Sequence, residues 1–381
     1  MSAYIWRVFD LAWGFKLPDF GLRFRFPIAR SYFLSFGCWL HVKSHDIQRH
    51  ATPASSHGEQ FEYLPLDSNQ IRLFVLHPGL DTDLVSGNVE HTGSWGRYGK
   101  NYRAYEALSY VWGDLGDSTT ILVDDRTIKV TKSLDAALRR LRHRDKPRIL
   151  WVDYICINQG DVLERNQQVA KMGSIYHQAD CVLIWLGLAT PNSSMGMEML
   201  RYFAHEERPQ TLPLWQTKPQ SLVLQGLQDV MSRPWFKRMW VVQEVGRSQR
   251  AVLMCGSDCV EWESTNFIIV RRFVRMIKFA EILPEWTQLG FDVVDMRPLL
   301  EMLDFQDMDH FSKSWGKCER AAPDLLDLAH SMRYKQCLDP RDKIFGLWGL
   351  IDHLYDWEDF KLDYNMSVKE VYDEVARVSF K

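Results

Sequence analysis

Three short apolar runs separated by helical periodicity constrain this chain most: YEALSYVWGD at 105–114, RILWVDYICIN at 148–158 and CVLIWLG at 181–187. In the first, Tyr105, Ala107, Ser109 and Val111 alternate with Glu106, Leu108, Tyr110 and Trp112 until Gly113-Asp114 stops the run, so it reads as a strand entering a loop. TILVDDRTIKVT then reads as a hairpin turning at Asp124-Asp125. Leu134, Ala137, Leu138 and Leu141 recur at i, i+3, i+4, i+7, which predicts an amphipathic helix ended by Pro147. The second run is apolar almost throughout except for Asp153, the pattern of a strand covered on both faces. Asp161 and Glu164 have the form of a capping box, and Val162, Val169, Met172 and Tyr176 continue a helix to about His177. The third run is again a buried strand. Strand, helix, strand, helix, strand with short connections predicts an α/β fold built on a parallel sheet flanked by helices.

Further helical patterns cover 195–206, 221–231 and 234–247, and a short hairpin is expected around Cys255. From 263 onward the patterns are mostly helical, one helix opening at Asp339 with Pro340 in its first turn, which predicts a helical C-terminal lobe. Residues 1–60 read as an irregular extension ending in the polar linker ATPASSHGEQ, so the expected organisation is 1–60, a domain at 61–262 and a helical region at 263–381. Hydrophobic residues make up 46% and charged residues 25%, which is globular composition and excludes disordered or coiled-coil classes. A net charge of -3 without a basic stripe argues against nucleic acid as a partner. The apolar run at 28–42 is interrupted by Arg30 and is short for a bilayer, so no membrane anchor or cleaved leader is expected. Seven scattered cysteines form no disulfide framework, which fits a reducing compartment such as the cytoplasm. Cys255 and Cys259 lack a second ligand pair at zinc spacing, so no metal site is assigned.

Chemistry gathers in two places. In RPWFKRMWVVQEV at 233–245, Phe236, Trp240 and Glu244 fall at i, i+4, i+8, so the carboxylate extends an aromatic stripe on one helical face. A carboxyl against aromatic walls is partly desolvated, which raises its pKa and suits it to acid-base work. Pairing with Arg247, or a purely structural burial, is the alternative. The second place is the carboxyl end of the strands, where open parallel sheets hold ligands. Ser109, Tyr110, Trp112, Gly113 and Asp114 close the first strand and Asp153 lies late in the second. Trp112 either stacks on a ligand ring or packs the sheet edge. Glu164 and Arg165 read as a cap and a surface ion pair, and Cys156 as core. No phosphate-binding loop occurs, and GSWGRYG at 93–99 lacks the strand and helix of a dinucleotide fingerprint.

YEALSYVWGD, ILWVDYICINQ with Asp161, Glu164, Arg165, Gln168 and Val169 after it, VLIWLG, and RPWFKRMWVVQE resemble, in order and spacing, the signature blocks of the fungal heterokaryon incompatibility (HET) domain over 105–245. Looser similarity extends over 61–381, through FEYLPLDSNQIRLFVLHPG, DPRDKIFGLWGL and LDYNMSVKEVYDEVA. Tyr154 departs from the small residue more usual there. The resemblance implies cell death on non-self recognition, self-association through the domain, and an incompatibility partner protein. It also implies distant kinship with TIR domains, which share a flavodoxin-like sheet and in some branches cleave NAD at the nicotinamide glycosidic bond. Glu244, four residues after Trp240, matches their catalytic glutamate. NAD would then be a substrate and not a resident cofactor, bound by Ser109, Tyr110, Trp112, Gly113, Asp114, Asp153 and Trp240, with Trp112 stacking and Asp114 or Asp153 on ribose hydroxyls. The other reading is a non-enzymatic module acting through self-association and recruitment.

Overall fold

A computed structural model of the chain describes residues 58–92, 103–204, 217–262, 290, 293–299, 325–351 and 362–379. The expectations for the extension at 1–57, the apolar run at 28–42 and the glycine-rich 93–99 lie outside those residues. The described elements all belong to one unit, Ser55–Lys381.

Nine strands form one sheet: β1 (Arg72–Leu76), β2 (Ser86–His91), β3 (Glu106–Tyr110), β4 (Ser118–Val123), β5 (Arg126–Thr131), β6 (Arg148–Trp151), β7 (Cys181–Trp185), β8 (Ala251–Cys255) and β9 (Asp258–Trp262), in the order β5-β4-β2-β1-β6-β3-β7-β8-β9. Strands β6, β3, β7 and β8 run parallel, in the chain order second, first, third, fourth. The sheet is nevertheless mixed, which corrects the expectation of a parallel one. Strand β1 pairs antiparallel with both β2 and β6, and the hairpins β4–β5 and β8–β9 close the two ends. The β4–β5 turn holds Asp124 and Asp125 at φ 50° and 60°, the left-handed pair that a tight hairpin demands.

Helix α1 (Lys132–Leu141) begins where the Thr131 hydroxyl accepts the Leu134 N–H, and it buries Leu134, Ala137, Leu138 and Leu141. The run after it is not one strand. It leaves the sheet at Trp151 and turns at once into α2 (Asp153–Cys156), because the Asp153 carboxylate accepts the Tyr154 N–H and the Val152 carbonyl takes the Cys156 N–H. A short buried apolar run has no periodicity to separate the two conformations. Helix α3 (Val162–Gln178) is capped by Asp161, whose Oδ1 accepts the Leu163 and Glu164 N–H groups. Glu164 does not complete the box.

Its carboxylate instead holds Arg72 of β1 in a two-pronged pair at 2.5 and 2.9 Å, with Arg72 fully buried. The same guanidinium donates to the Cys156 carbonyl at 3.1 Å and the Leu64 carbonyl at 2.6 Å, while Glu164 also accepts the Asn158 N–H at 2.7 Å. The surface ion pair expected for Glu164 and Arg165 is therefore corrected: Glu164 is a buried counter-ion, and Arg165 lies over the Tyr364 ring, 4.5 Å from its centroid.

Helices α4 (Ser193–Ala204) and α5 (Gln220–Met231) pack together beyond β7. The stretch expected as one helix over 234–247 breaks in two. Pro234–Lys237 is a 3-10 turn, Arg238 is extended, and α6 covers only Val241–Gly246. The break follows from competition: the Lys237 carbonyl and the Met239 N–H bond to Gln336 and not to a helix of their own. The single aromatic face carrying Phe236, Trp240 and Glu244 therefore does not exist. Beyond residue 290 the described elements include α7 (Leu325–Ser331), α8 (Asp342–Ile351) and α9 (Val368–Ser379). Helix α8 packs on α3 and α6. Its approach to α3 needs glycine twice, since a Cβ on Gly173 would lie 2.5 Å from the Gly349 Cα. Among the described residues no helix is long and apolar enough to cross a membrane.

Arg72→Met leaves the Glu164 carboxylate buried without its counter-ion, an arrangement that costs about 3–5 kcal/mol. Adding Glu164→Leu removes the stranded charge, so urea unfolding of the double variant is expected to recover most of the loss. Equal stability of the single and double variants would count against a buried ion pair.

Candidate functional site

Strand β3 lies between β6 and β7, so its side chains near the carboxyl end are surrounded by protein on every side. Ser109 is fully buried there. A hydroxyl in that position requires hydrogen-bond partners, and it has two. The Trp235 indole donates to its Oγ at 2.8 Å, and Ser109 in turn donates to the Glu244 carboxylate. Glu244 is only 1% exposed. Burial pushes its pKa up from 4.5 to about 7, against the opposing pull of the Arg238 guanidinium and the Ser109 hydrogen bond, with Asp153 adding to the rise.

Asp153 is the second buried carboxylate, 7% exposed at the start of α2. It accepts the Trp112 indole N–H at 2.8 Å and the Tyr154 N–H at 2.7 Å. Burial raises its pKa too, and Arg238 again opposes. Arg238 thus acts electrostatically on both carboxylates while donating a hydrogen bond to the Tyr110 carbonyl at the end of β3. The Tyr110 side chain is buried, and burial together with the neighbouring Asp153 carboxylate, which its hydroxyl faces, holds its pKa well above the ordinary value.

The fold therefore joins Glu244 to Ser109 directly and couples Tyr110, Asp153 and Trp112 to them around Arg238. Trp112 meets Tyr154 edge-on at 5.1 Å and gives its N–H to Asp153. Gly113 sits at φ +79° on the exposed loop, and Asp114, also exposed, accepts the Gly116 N–H at 2.8 Å and organises that loop. Trp240 looks elsewhere. Its carbonyl accepts the Glu244 N–H, but its indole donates to Asp342 of α8 at 3.1 Å. Trp235 and Arg238 carry no assignment from the sequence. The basic residue inside an aromatic block is their only signal, because the bonds they make span 126 and 128 residues.

A carboxyl with a pKa about 7 gives and takes protons equally well at neutral pH, and one bonded to a buried hydroxyl is held in a single orientation. Two ionised carboxylates in one low-dielectric place can stabilise a developing positive charge, and the Arg238 guanidinium favours their ionised forms. Among the described residues no group of three or more His, Cys, Asp or Glu is placed to hold a metal ion. A cleft lined by Phe61, Glu62, Leu64, Arg72, Val89, His91 and Asp124 lies apart, beside β1 and β2.

Residues 105–244, the stretch that carries Ser109, Asp153 and Glu244, match the family model described as Heterokaryon incompatibility protein (HET). A curated relative, Heterokaryon incompatibility protein 6, OR allele, of Neurospora crassa, is 27% identical over 387 residues, covering 86% of this chain and 54% of that protein. The chain thus spans about half the length of the curated relative it matches. No solved structure matches.

The raised pKa sets a sign. Folded Glu244 holds its proton up to about 7 and the unfolded residue releases it near 4.5, so its contribution is complete below 4.5 and is lost as pH rises through about 7. Burying the charged form then costs about 3 kcal/mol, a burden Glu244→Gln does not carry. Unfolding midpoints at pH 5 and pH 8 are expected to show the Gln variant gaining on the wild type as pH rises. A difference that does not change with pH would mean that Glu244 keeps an ordinary pKa.

Proposed function

We propose that this chain acts in heterokaryon incompatibility through its HET-type domain, as an effector of cell death on non-self recognition. The match over 105–244 and the name of the Neurospora crassa relative support the first part of that reading. Such a role requires other proteins: a further copy of this chain and an incompatibility partner. We assign it to the cytoplasm, in keeping with the free thiols of Cys156, Cys181, Cys255, Cys259 and Cys337.

For the effector step we propose cleavage of NAD at its nicotinamide glycosidic bond, in the manner of TIR domains. One observation carries it: Glu244, its pKa near 7, is hydrogen-bonded to Ser109 at the carboxyl end of a parallel strand. The parallel strands β6-β3-β7-β8 follow the beginning of the 2-1-3-4-5 flavodoxin-like order, whose ligands lie at that end of the sheet. In this reading Glu244 stabilises the oxocarbenium-like state at the ribose and Ser109 orients it. Arg238 keeps enough of the carboxyl ionised to do so, Asp114 or Asp153 meets ribose hydroxyls, and Trp112 contacts a ring, while Trp240, bonded to Asp342, takes no part. NAD is substrate throughout, and no resident cofactor is invoked.

The second reading, a non-enzymatic module acting by self-association and recruitment, is favoured by one fact: Glu244 is closed off from solvent. The two separate in one assay. Purified protein at high concentration is expected to release nicotinamide from NAD, and Glu244→Gln, which keeps the size and removes the charge, to lower the rate by at least about a hundredfold. Equal rates from both proteins, or none from confirmed oligomers of the wild type, would favour recruitment.

A further inference from the structure

The segment that carries Arg238 and Glu244 is held from two sides. On one side lies the sheet, through Trp235 to Ser109, Arg238 to the Tyr110 carbonyl and Ser109 to Glu244. On the other lie residues 335–349, which bond to it between Phe236 and Gln243. Buried Lys335 donates its Nζ to the Phe236 carbonyl at 2.7 Å. The Gln336 N–H donates to the Lys237 carbonyl at 2.5 Å, and its carbonyl accepts the Met239 N–H at 2.9 Å. The Trp240 indole reaches Asp342, and the Gly349 N–H donates to Gln243 Oε1 at 3.1 Å. Those partners, Phe236 to Gln243, bracket Arg238 and end one residue before Glu244.

The same segment is fastened at its far end. Asp342 also accepts the Tyr364 hydroxyl at 2.7 Å, and the Tyr364 ring lies between Arg165 and Arg341, at 4.5 and 5.2 Å. The Asn166 amide donates to Asp363 at 2.7 Å, tying this assembly to α3.

A six-residue helix such as α6 is too short to be stable alone. Its position therefore depends on what packs against it, and α8 packs on it directly. We propose that residues 335–349 are a latch that holds the Glu244 helix shut on the sheet, and that its release opens the buried carboxylate to a ligand. The latch stands on the hydrogen bonds and packing above. That opening switches on activity rests on the enzymatic reading.

Hydrogen exchange of the full chain tests it, with two variants. Asp342→Ala removes the acceptor shared by Trp240 and Tyr364. Gly349→Ala adds a Cβ that would lie 2.7 Å from Gln243 Oε1 and 2.6 Å from the Gly173 Cα, prising α8 away. In both, exchange in peptides covering 236–246 and 335–349 is expected to quicken together, by roughly tenfold or more, while peptides from β3, β6 and β7 keep their protection. The latch is overturned if 236–246 stays protected when 335–349 loosens. It is equally overturned if every peptide quickens by one factor, because the segment is then part of the global core. Loosening without nicotinamide release sustains the latch and counts against the enzymatic reading.

Discussion

A single buried hydroxyl governs the centre of this molecule. Ser109 lies fully buried on a strand with a neighbour on each side, where an unpaired polar group costs several kcal/mol. Satisfying it requires a donor and an acceptor from elsewhere in the chain. Trp235 and Glu244 supply them, and both come from the segment between α5 and β8. That segment must then lie over the carboxyl end of the sheet, and Arg238, carried between them, falls near both carboxylates. The site follows from the partners one serine demands.

A second polar tie fixes the other half of the sheet. Antiparallel β1 inserts between β2 and β6 in a region otherwise ruled by parallel crossovers, and its Arg72 is drawn inward to Glu164 and the end of α2. The helix that bears Glu164 bears Asn166 and Arg165 as well, which hold Asp363 and Tyr364. Helix α3 therefore joins the first strand to the last helices. Its charged and amide residues, which look like a solvated face in the sequence, serve both.

What was legible in the sequence was local. Leu134, Ala137, Leu138 and Leu141 define α1 because a helix repeats its face within four residues, and Asp124-Asp125 define the hairpin because only its turn needs that backbone. Asp153 and the stretch at 234–247 misled for different reasons: a short buried apolar run has no periodicity to tell strand from helix, and distant bonds to Gln336 broke the second helix. Ser109, Tyr110, Asp153 and Glu244 could be named as candidates from strand ends and an aromatic block. That Ser109 and Glu244 would touch across 135 residues could not, nor that Trp240 would turn away to Asp342.

The energetics of Glu244 point the same way as its geometry. A carboxyl kept only for packing would be more stable as glutamine, which retains the Ser109 hydrogen bond without an ionisation held near neutrality by burial. Burial and Asp153 push that carboxyl toward its neutral form, while Arg238 and the Ser109 hydrogen bond pull it back toward the charged one. Opposed influences of this kind leave a group poised between two protonation states, and proton transfer or charge stabilisation uses such a group. Enclosure supplies the low dielectric that strengthens every one of those influences, and it also bars a ligand. In the enzymatic reading a site of this construction acts only when something moves, and the part of its wall that is short, helical and held from outside the sheet is α6.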